Sequence, residues 1–377
     1  MVSYIWQDPK WPQFRWDVEG LLASLVEARH RQGLFLGTMR DIGFDARLES
    51  ELAATCEDVI KTSAIEGDVL NPASVRSSIA RRLGIPDGGQ APTDRKVDGV
   101  VDMILDATKS HATPLTAERL FGWHAALFPT GYSGRDKIDV GRWRTDADAA
   151  MRVVSSPYAA KPTIHYEAPP AYRVAAEMAT FIDWFNASPG KIDPLIRAAL
   201  AHLWFVTVHP MDDGNGRIAR AIADLAVAQM ERSGQRFYSL SSQIEREKRR
   251  YYAILETTQK GGLDVTPWLS WFIDCYAGAI GTAELTADKV IAQAKFWQIH
   301  AGEAFSERQR KVLRKLFDGF EGGLTSKKWV SICGCSPDTA QRDIAGLVAR
   351  GLLIRNPGGS RNTSYRFNWP RQDQETA

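Results

Sequence analysis

The sequence is poor in the features that mark secreted, metal-stapled or membrane proteins. Its 377 residues include only four cysteines, Cys56, Cys275, Cys333 and Cys335. The first two are isolated in helical patterns, as buried inert thiols would be. The last two form a lone C-x-C with no second Cys or His pair at zinc-site spacing. That count argues against a disulfide framework or a structural zinc, and points to the reducing cytoplasm. No apolar run reaches the roughly 18–20 residues a membrane span requires. Residues 1–10 lack the basic stretch and following apolar run of a secretory signal. No internal repeat is visible. Charge is nearly balanced at a formal +2, but unevenly spread. From Ser306 onward there are 13 Lys/Arg against 7 Asp/Glu, a surplus of six, so the preceding residues sum to −4. The C-terminal segment is the basic one.

What is present suits packed helices. The length suggests two or three domains, and 44% hydrophobic residues with 12 Trp fit a globular chain. An aromatic, Pro-punctuated opening (Trp6, Trp11, Phe14, Trp16) leads to a helical pattern around Leu21, Leu22, Leu25, Val26 and Leu34 to Leu36. A second helix is expected from Asp45 to Ile65, with Leu48, Leu52, Cys56, Val59 and Ile60 on one face and a stop at Glu66-Gly67. Loop chemistry between Ile85 and Thr93 suggests a linker. Two helices are expected between Val97 and Phe128, then loops at Gly131 to Gly134 and Gly141 to Thr145. The runs Met151 to Ser156 and Thr163 to Tyr166, joined by Pro157 to Pro162, read as a β-hairpin. Helices are expected at Pro170 to Asn186, Asp193 to Val208, Gly216 to Ser233, Ile244 to Lys260, Thr266 to Ala279 and Thr282 to Ala304. Beyond these, three helices (Glu307 to Phe317, Thr325 to Ile332, Ser336 to Arg350) precede two strands, Leu352 to Arg355 and Ser364 to Phe367. That order gives a winged helix-turn-helix. The expected class is mainly α. Its divisions are an N-terminal helical region (1–94), a helical core with one hairpin (95–280), a linker helix (281–304), a winged helix-turn-helix (305–370) and a loose tail (371–377).

One stretch looks built for chemistry: His209 to Arg220, reading H-P-M-D-D-G-N-G-R-I-A-R. The apolar helix before it delivers His209 to a turn. Gly214 and Gly216 allow sharp bending and close backbone approach. Helix resumes at Gly216 to Arg217, so its first amides and its dipole favour an anion. Arg217 and Arg220, three apart, share one face and repel each other unless an anion lies beside them. Asp213 can hold a divalent ion bridging phosphates, and His209 is the base in reach. The inventory amounts to a polyphosphate site with a base. Residue by residue, a capped helix with exposed arginines and a packed histidine would account for it; the whole set is harder to explain that way.

The stretch resembles the signature of the Fic family, H-x-F-x-D/E-G-N-G/K-R-x-x-R. His209, Asp213, Gly214, Asn215, Gly216, Arg217 and Arg220 match, and Met211 replaces the usual Phe anchor, a volume-tolerant change. The resemblance extends over about 95–280. It implies transfer of AMP from ATP to a Ser, Thr or Tyr hydroxyl of a target protein, or of the chain itself. His209 would take the proton, and Asp213 would hold magnesium. Asn215 and the amides from Gly214 to Arg217 would cradle the α/β-phosphates, with Arg217 also binding them and Arg220 holding the γ-phosphate. The hairpin, with Arg152, Val153, Val154 and Ser155, corresponds to the family's flap, which pairs with the target backbone. Tyr251, Tyr252 and Gln259 correspond to the base-side wall. Thr62 to Gly67 resembles the family's inhibitory motif, S/T-x-x-x-E-G/N, which implies that Glu66 pairs with Arg220 and blocks productive ATP binding.

Two other readings remain. Sister activities on the same scaffold include AMP removal with Glu66 positioning a water, other nucleotidyl donors and phosphate transfer. A nucleotide-sensing DNA-binding regulator is the second, resting on the basic C-terminal segment with Lys327, Lys328, Arg342, Arg350, Arg355 and Arg361. A homodimer through the front helices is compatible with both.

Overall fold

A computed structural model describes residues 4–85, 92, 94–145, 150–155, 163–317, 322–357 and 363–368. The chain forms two compact units, one up to Leu285 and one from Thr286.

In the first unit the helices are α1 (Val18–Asp41), α2 (Phe44–Ile65), α3 (Pro72–Arg82), α4 (Arg95–Lys109) and α5 (Ala117–Leu127). Two antiparallel hairpins follow, β1 (Tyr132–Ser133) with β2 (Asp136–Lys137), and β3 (Arg152–Ser155) with β4 (Thr163–Glu167). Then come α6 (Ala171–Ala187), α7 (Pro194–Val208), α8 (Asn215–Glu231), α9 (Leu240–Arg246), α10 (Lys248–Gln259) and α11 (Thr266–Ile299), which from Thr286 onward belongs to the second unit. Side-chain caps start six of these helices: Asp17, Asn71, Asp94, Thr116, Asp193 and Ser239 each accept a first-turn amide. At the centre lie α7 and α8, both buried almost throughout, with α2 and α4 against α8.

Several local expectations change. Helix α3 carries no pattern strong enough to announce itself, yet Asn71 caps it and Pro72 opens it. The expected helix from Ile244 to Lys260 breaks at Glu247, whose carboxylate accepts from Gln243 Nε2 (2.6 Å) and Trp271 Nε1 (3.2 Å). The two helices expected around Gly281 are one, α11. Its glycines are close-approach positions: a Cβ at Gly278 would lie 3.0 Å from the Gln243 side chain, and one at Gly281 2.8 Å from Arg31 Nη2. On α1, Leu21 and Phe35 are buried, whereas Leu22, Val26 and Leu34 from the same expected pattern are exposed. The small β1–β2 hairpin occupies a stretch expected to be loop. The segment joining β3 to β4 lies outside the described residues, as do Ser156, Arg361 and everything after Asn368.

The aromatic N-terminus has a definite place. Trp6 packs with Tyr166 and Ala168 against Val153, and its Nε1 donates to the Glu167 carbonyl (2.9 Å). Tyr166 in turn donates its hydroxyl to the Thr207 carbonyl of α7 (2.7 Å). The β3–β4 hairpin is thereby rooted two residues from His209.

The second unit contains α12 (Glu307–Phe317), α13 (Ser326–Cys333) and α14 (Pro337–Ala349). A three-stranded antiparallel sheet accompanies them: β5 (Leu324–Thr325), β6 (Leu353–Arg355) and β7 (Ser364–Phe367), in the order β5-β7-β6. Trp329, Ile344 and Leu347 are central to its core. β5 was not expected.

The tightest approach in the first unit is at Gly99, where α4 crosses α5. A Cβ there would stand 1.8 Å from the Ala126 carbonyl oxygen, a backbone atom that cannot swing aside. Gly99→Ala is therefore expected to cost about 3 kcal/mol or more, read as a lowered midpoint in urea; an unchanged midpoint would refute this packing.

Candidate active site

Helix α7 ends at His209 in the left-handed region (φ 51°, ψ 58°). A non-glycine residue stays there only when its surroundings fix it. Arg144 does so from the loop after β2. This buried guanidinium donates from Nε to the His209 carbonyl (2.7 Å) and from Nη2 to the carbonyls of Val208 (3.5 Å) and Pro169. The Arg144 amide donates to the Pro210 carbonyl (2.9 Å). A cation thus caps the negative end of α7 and sets the imidazole's position.

The imidazole's tautomer follows from its contact. Nδ1 lies 3.2 Å from the Val206 carbonyl, which can only accept, so Nδ1 carries the hydrogen and Nε2 keeps its lone pair. Solvent reaches part of the ring, but burial still pushes its pKa down to about 4, and Arg144 acts in the same direction. Asp213, Glu66 and the Val206 carbonyl oppose this without reversing it. His209 is a neutral free base at neutral pH.

The loop after His209 is braced at every residue. Met211 is fully buried, in the anchor position. Asn215 accepts from the Met211 amide (2.9 Å) and donates to its carbonyl (2.8 Å). Its side chain thereby closes the loop back on Met211. Asp212 accepts from the Asp139 amide (2.8 Å). Asp213 accepts from the Gly214 amide (2.5 Å) and from the Ser133 hydroxyl of β1. Gly214 is required twice, by its φ of +77° and because a Cβ would meet the Phe128 ring at 2.9 Å.

The first turn of α8 has amides without intrahelical partners, and both arginines flank it. Arg217 lies over the Phe128 ring (5.1 Å) and donates from Nη1 to Asp68 (3.1 Å). Arg220 is 1% exposed and donates to the Thr62 hydroxyl (2.8 Å), the Thr62 carbonyl (2.9 Å) and the Glu66 carboxylate (2.7 Å). Burial alone would lower the Arg220 pKa; the neighbouring Glu66 carboxylate keeps it raised. Gly216 leaves the space Glu66 fills, since a Cβ there would stand 2.3 Å from its Oε1. Two carboxylates from the segment after α2 therefore stand beside the two guanidinium groups.

The other expected site residues are placed less uniformly. Tyr251 is buried in the core, its hydroxyl 3.0 Å from His202 Nε2 and its ring beside Trp271, so it offers no open face to a ligand. Gln259 is also buried and donates to Thr207 Oγ1 (3.3 Å). Both stand on α10 and face α7. Tyr252 is the exposed one, donating its hydroxyl to the Ile65 carbonyl (3.2 Å). In the hairpin, Arg152 pairs with Glu167 (2.8 Å) and Val153 packs toward Trp6. Val154 is partnered by Ile164 and Ser155 by Thr163. Arg144, Ser133 and Asp68 were not singled out from the sequence, and Thr62 entered only as the first residue of the motif that ends in Glu66-Gly67. No local pattern marks them, because their partners lie about 65 to 160 positions away.

Among the described residues no group of three or more metal-binding side chains occurs. Asp213 is a single carboxylate, a donor set that suits magnesium when phosphates and water complete the shell.

The neutral His209 gives a pH signature. The unfolded histidine takes up a proton as pH falls through its ordinary value near 6.5, whereas the folded one resists until about 4. Stability present above pH 6.5 is lost across that window. Between pH 7.5 and 5 the stability difference between His209→Asn and the wild type should move by roughly 2 kcal/mol in the variant's favour. Denaturant titrations at both pH values measure it; a constant offset would contradict the burial argument.

Comparisons with known proteins add to this geometry. Residues 114–227 match the Fic/DOC family, and residues 4–85 match a domain of unknown function, DUF4172. The chain is similar to protein adenylyltransferase fic-1 of Caenorhabditis briggsae, at 28% identity over 239 residues, covering 60% of this chain and 42% of that protein. The Caenorhabditis elegans protein of the same name is 29% identical over the same extent, 60% of this chain and 42% of its own length. The chain thus spans less than half the length of these relatives. Among solved structures, a Fic family protein from Desulfovibrio desulfuricans G20 aligns with a TM-score of 0.53 at 18% identity, covering 94% of this chain and 97% of that one. A Fic domain-containing signaling protein from Bacteroides thetaiotaomicron aligns with a TM-score of 0.51 at 17% identity, covering 75% and 99%. The mainly helical fold is shared with these two structures.

Proposed function

We propose that this chain is a protein adenylyltransferase that transfers AMP from ATP to a hydroxyl of a protein, and that the structure represents its self-inhibited form. The observation that carries the reading is a neutral His209 with a free Nε2 beside the first turn of α8 and two arginines. Phosphoryl chemistry needs little more than that: positioning, charge stabilisation and one base. A Ser, Thr or Tyr hydroxyl gives its proton to His209 Nε2 as its oxygen attacks the α-phosphorus. The bond from that phosphorus to the α,β-bridging oxygen breaks, and pyrophosphate leaves with the electron pair. The amides of Asn215, Gly216 and Arg217 and the Arg217 guanidinium receive the α/β-phosphates, and Arg220 receives the γ-phosphate. Asp213, held by Ser133 and the Gly214 amide, would hold magnesium, which when bound supplies charge neutralisation on the phosphates. The β3–β4 hairpin, rooted near His209, acts as the flap to which a target segment adds as a strand.

Glu66 occupies the partner position of the γ-phosphate on Arg220, which supports self-inhibition. Incubation with α-labelled ATP, magnesium and a lysate tests the whole reading. Glu66→Gly should raise label incorporation, self-modification included, by at least tenfold, the size of coupling expected between ligands competing for one site. His209→Ala in that background should abolish it. No rise with Glu66→Gly would end the inhibition reading, and full activity with His209→Ala would end the catalytic one.

A second reading concerns the C-terminal unit, as a winged helix-turn-helix that binds DNA. Its support is the outward face of α14, where Gln341, Arg342 and Ala345 are exposed, with Lys327 on α13 and Arg355 and Arg366 on the strands also exposed. Gln and Arg can each make paired hydrogen bonds to base edges, and Ala can meet a thymine methyl. Arg350 does not contribute, being engaged by Glu303 and stacked on Phe305. The intact chain should shift a duplex in a gel with strong salt dependence, and Arg342→Ala should weaken that shift. A duplex left unshifted at low salt would remove the reading.

A further inference from the structure

Arg217 is the less conspicuous of the two arginines, and its state resembles that of Arg220. Its side chain is 4% exposed, and its charge faces one carboxylate, Asp68, at 3.1 Å. Asp68 lies two residues beyond Glu66, and the backbone brings both to α8. The Gly67 amide donates to the Ala64 carbonyl and the Asp68 amide to the Ser63 carbonyl, each at 3.0 Å, around Gly67 at φ +90°. This left-handed helix end turns the chain back so that alternate residues meet successive guanidinium groups. Asp68 also accepts from Lys96 of α4 at 2.7 Å, so Lys96 and Arg217 share it.

We propose that Asp68 is a second latch: its carboxylate stands in for the α/β-phosphates on Arg217, as Glu66 stands in for the γ-phosphate on Arg220. This rests on the nucleotide-site reading above. The segment Glu66-Gly67-Asp68 is then a two-charge mimic of a polyphosphate, and removing Glu66 alone leaves half of it in place. Lys96 bonds Oδ1 and Arg217 bonds Oδ2, so each cation holds its own oxygen of the one carboxylate.

ADP isolates this effect, having no γ-phosphate to test Arg220. Equilibrium binding of a fluorescent ADP to the full chain, with magnesium, provides the readout. Asp68→Ala should bind ADP about five- to tenfold more tightly than wild type, a coupling typical of competing ligands. In the Arg217→Ala background the gain from Asp68→Ala should vanish. A purely structural Asp68 would instead lower affinity and melting temperature together in Asp68→Ala, which overturns the proposal. Unchanged ADP affinity in Asp68→Ala, with incorporation still raised by Glu66→Gly, also overturns the latch and leaves the nucleotide-site reading intact. If no variant binds ADP and Glu66→Gly incorporates no label, the site reading itself falls.

Discussion

The site is organised by the buried Arg220 guanidinium. A charge removed from water must be compensated, and a buried arginine without a partner costs several kcal/mol. Thr62 and Glu66 provide that compensation from the end of α2, some 155 positions earlier in the chain. The requirement explains the neighbouring features. Gly216 has no side chain because Glu66 needs the volume, and α2 ends in a tight left-handed turn because the carboxylate must reach inward. The ion pair ties a front helix to the loop that carries the chemistry.

A second constraint concerns His209. Its left-handed backbone, its tautomer and its neutrality come from different groups: Arg144 on the carbonyl, Val206 on Nδ1 and burial around the ring. Separate control of position and charge is what a base needs, since an exposed histidine would be partly protonated near neutral pH and free to rotate. The hairpin joins the same spot through Tyr166 and Thr207. The base, the anion face and the strand edge are thus assembled around one helix end.

Much of this was legible from residues close in sequence. His209, the two glycines and the arginine pair signal an anion site by spacing alone, because one helix start positions them all. Glu66 was legible through a family resemblance and not from its own surroundings. Arg144 and Asp68 were not, since their partners come from other elements and neither sits in a marked pattern. The burial of Tyr251 and Gln259 was not legible from their own stretch either. A helix can present two adjacent aromatics to opposite sides, and which one enters the core depends on Trp271 and His202, far away in the chain. Helix boundaries failed where glycine meant close packing, as at Gly278 and Gly281, and where a single half-buried carboxylate, Glu247, interrupted a continuous pattern.

The central claim is that Glu66 holds the γ-phosphate's place on Arg220, and the ratio of ADP to ATP dissociation constants tests it most directly. In the wild type the third phosphate finds its guanidinium taken, so ATP should bind about as well as ADP. In Glu66→Gly the same phosphate gains a charge-assisted partner, and ATP should bind about tenfold more tightly than ADP, a contribution of the size such hydrogen bonds make. Identical ratios in the two proteins would contradict the account.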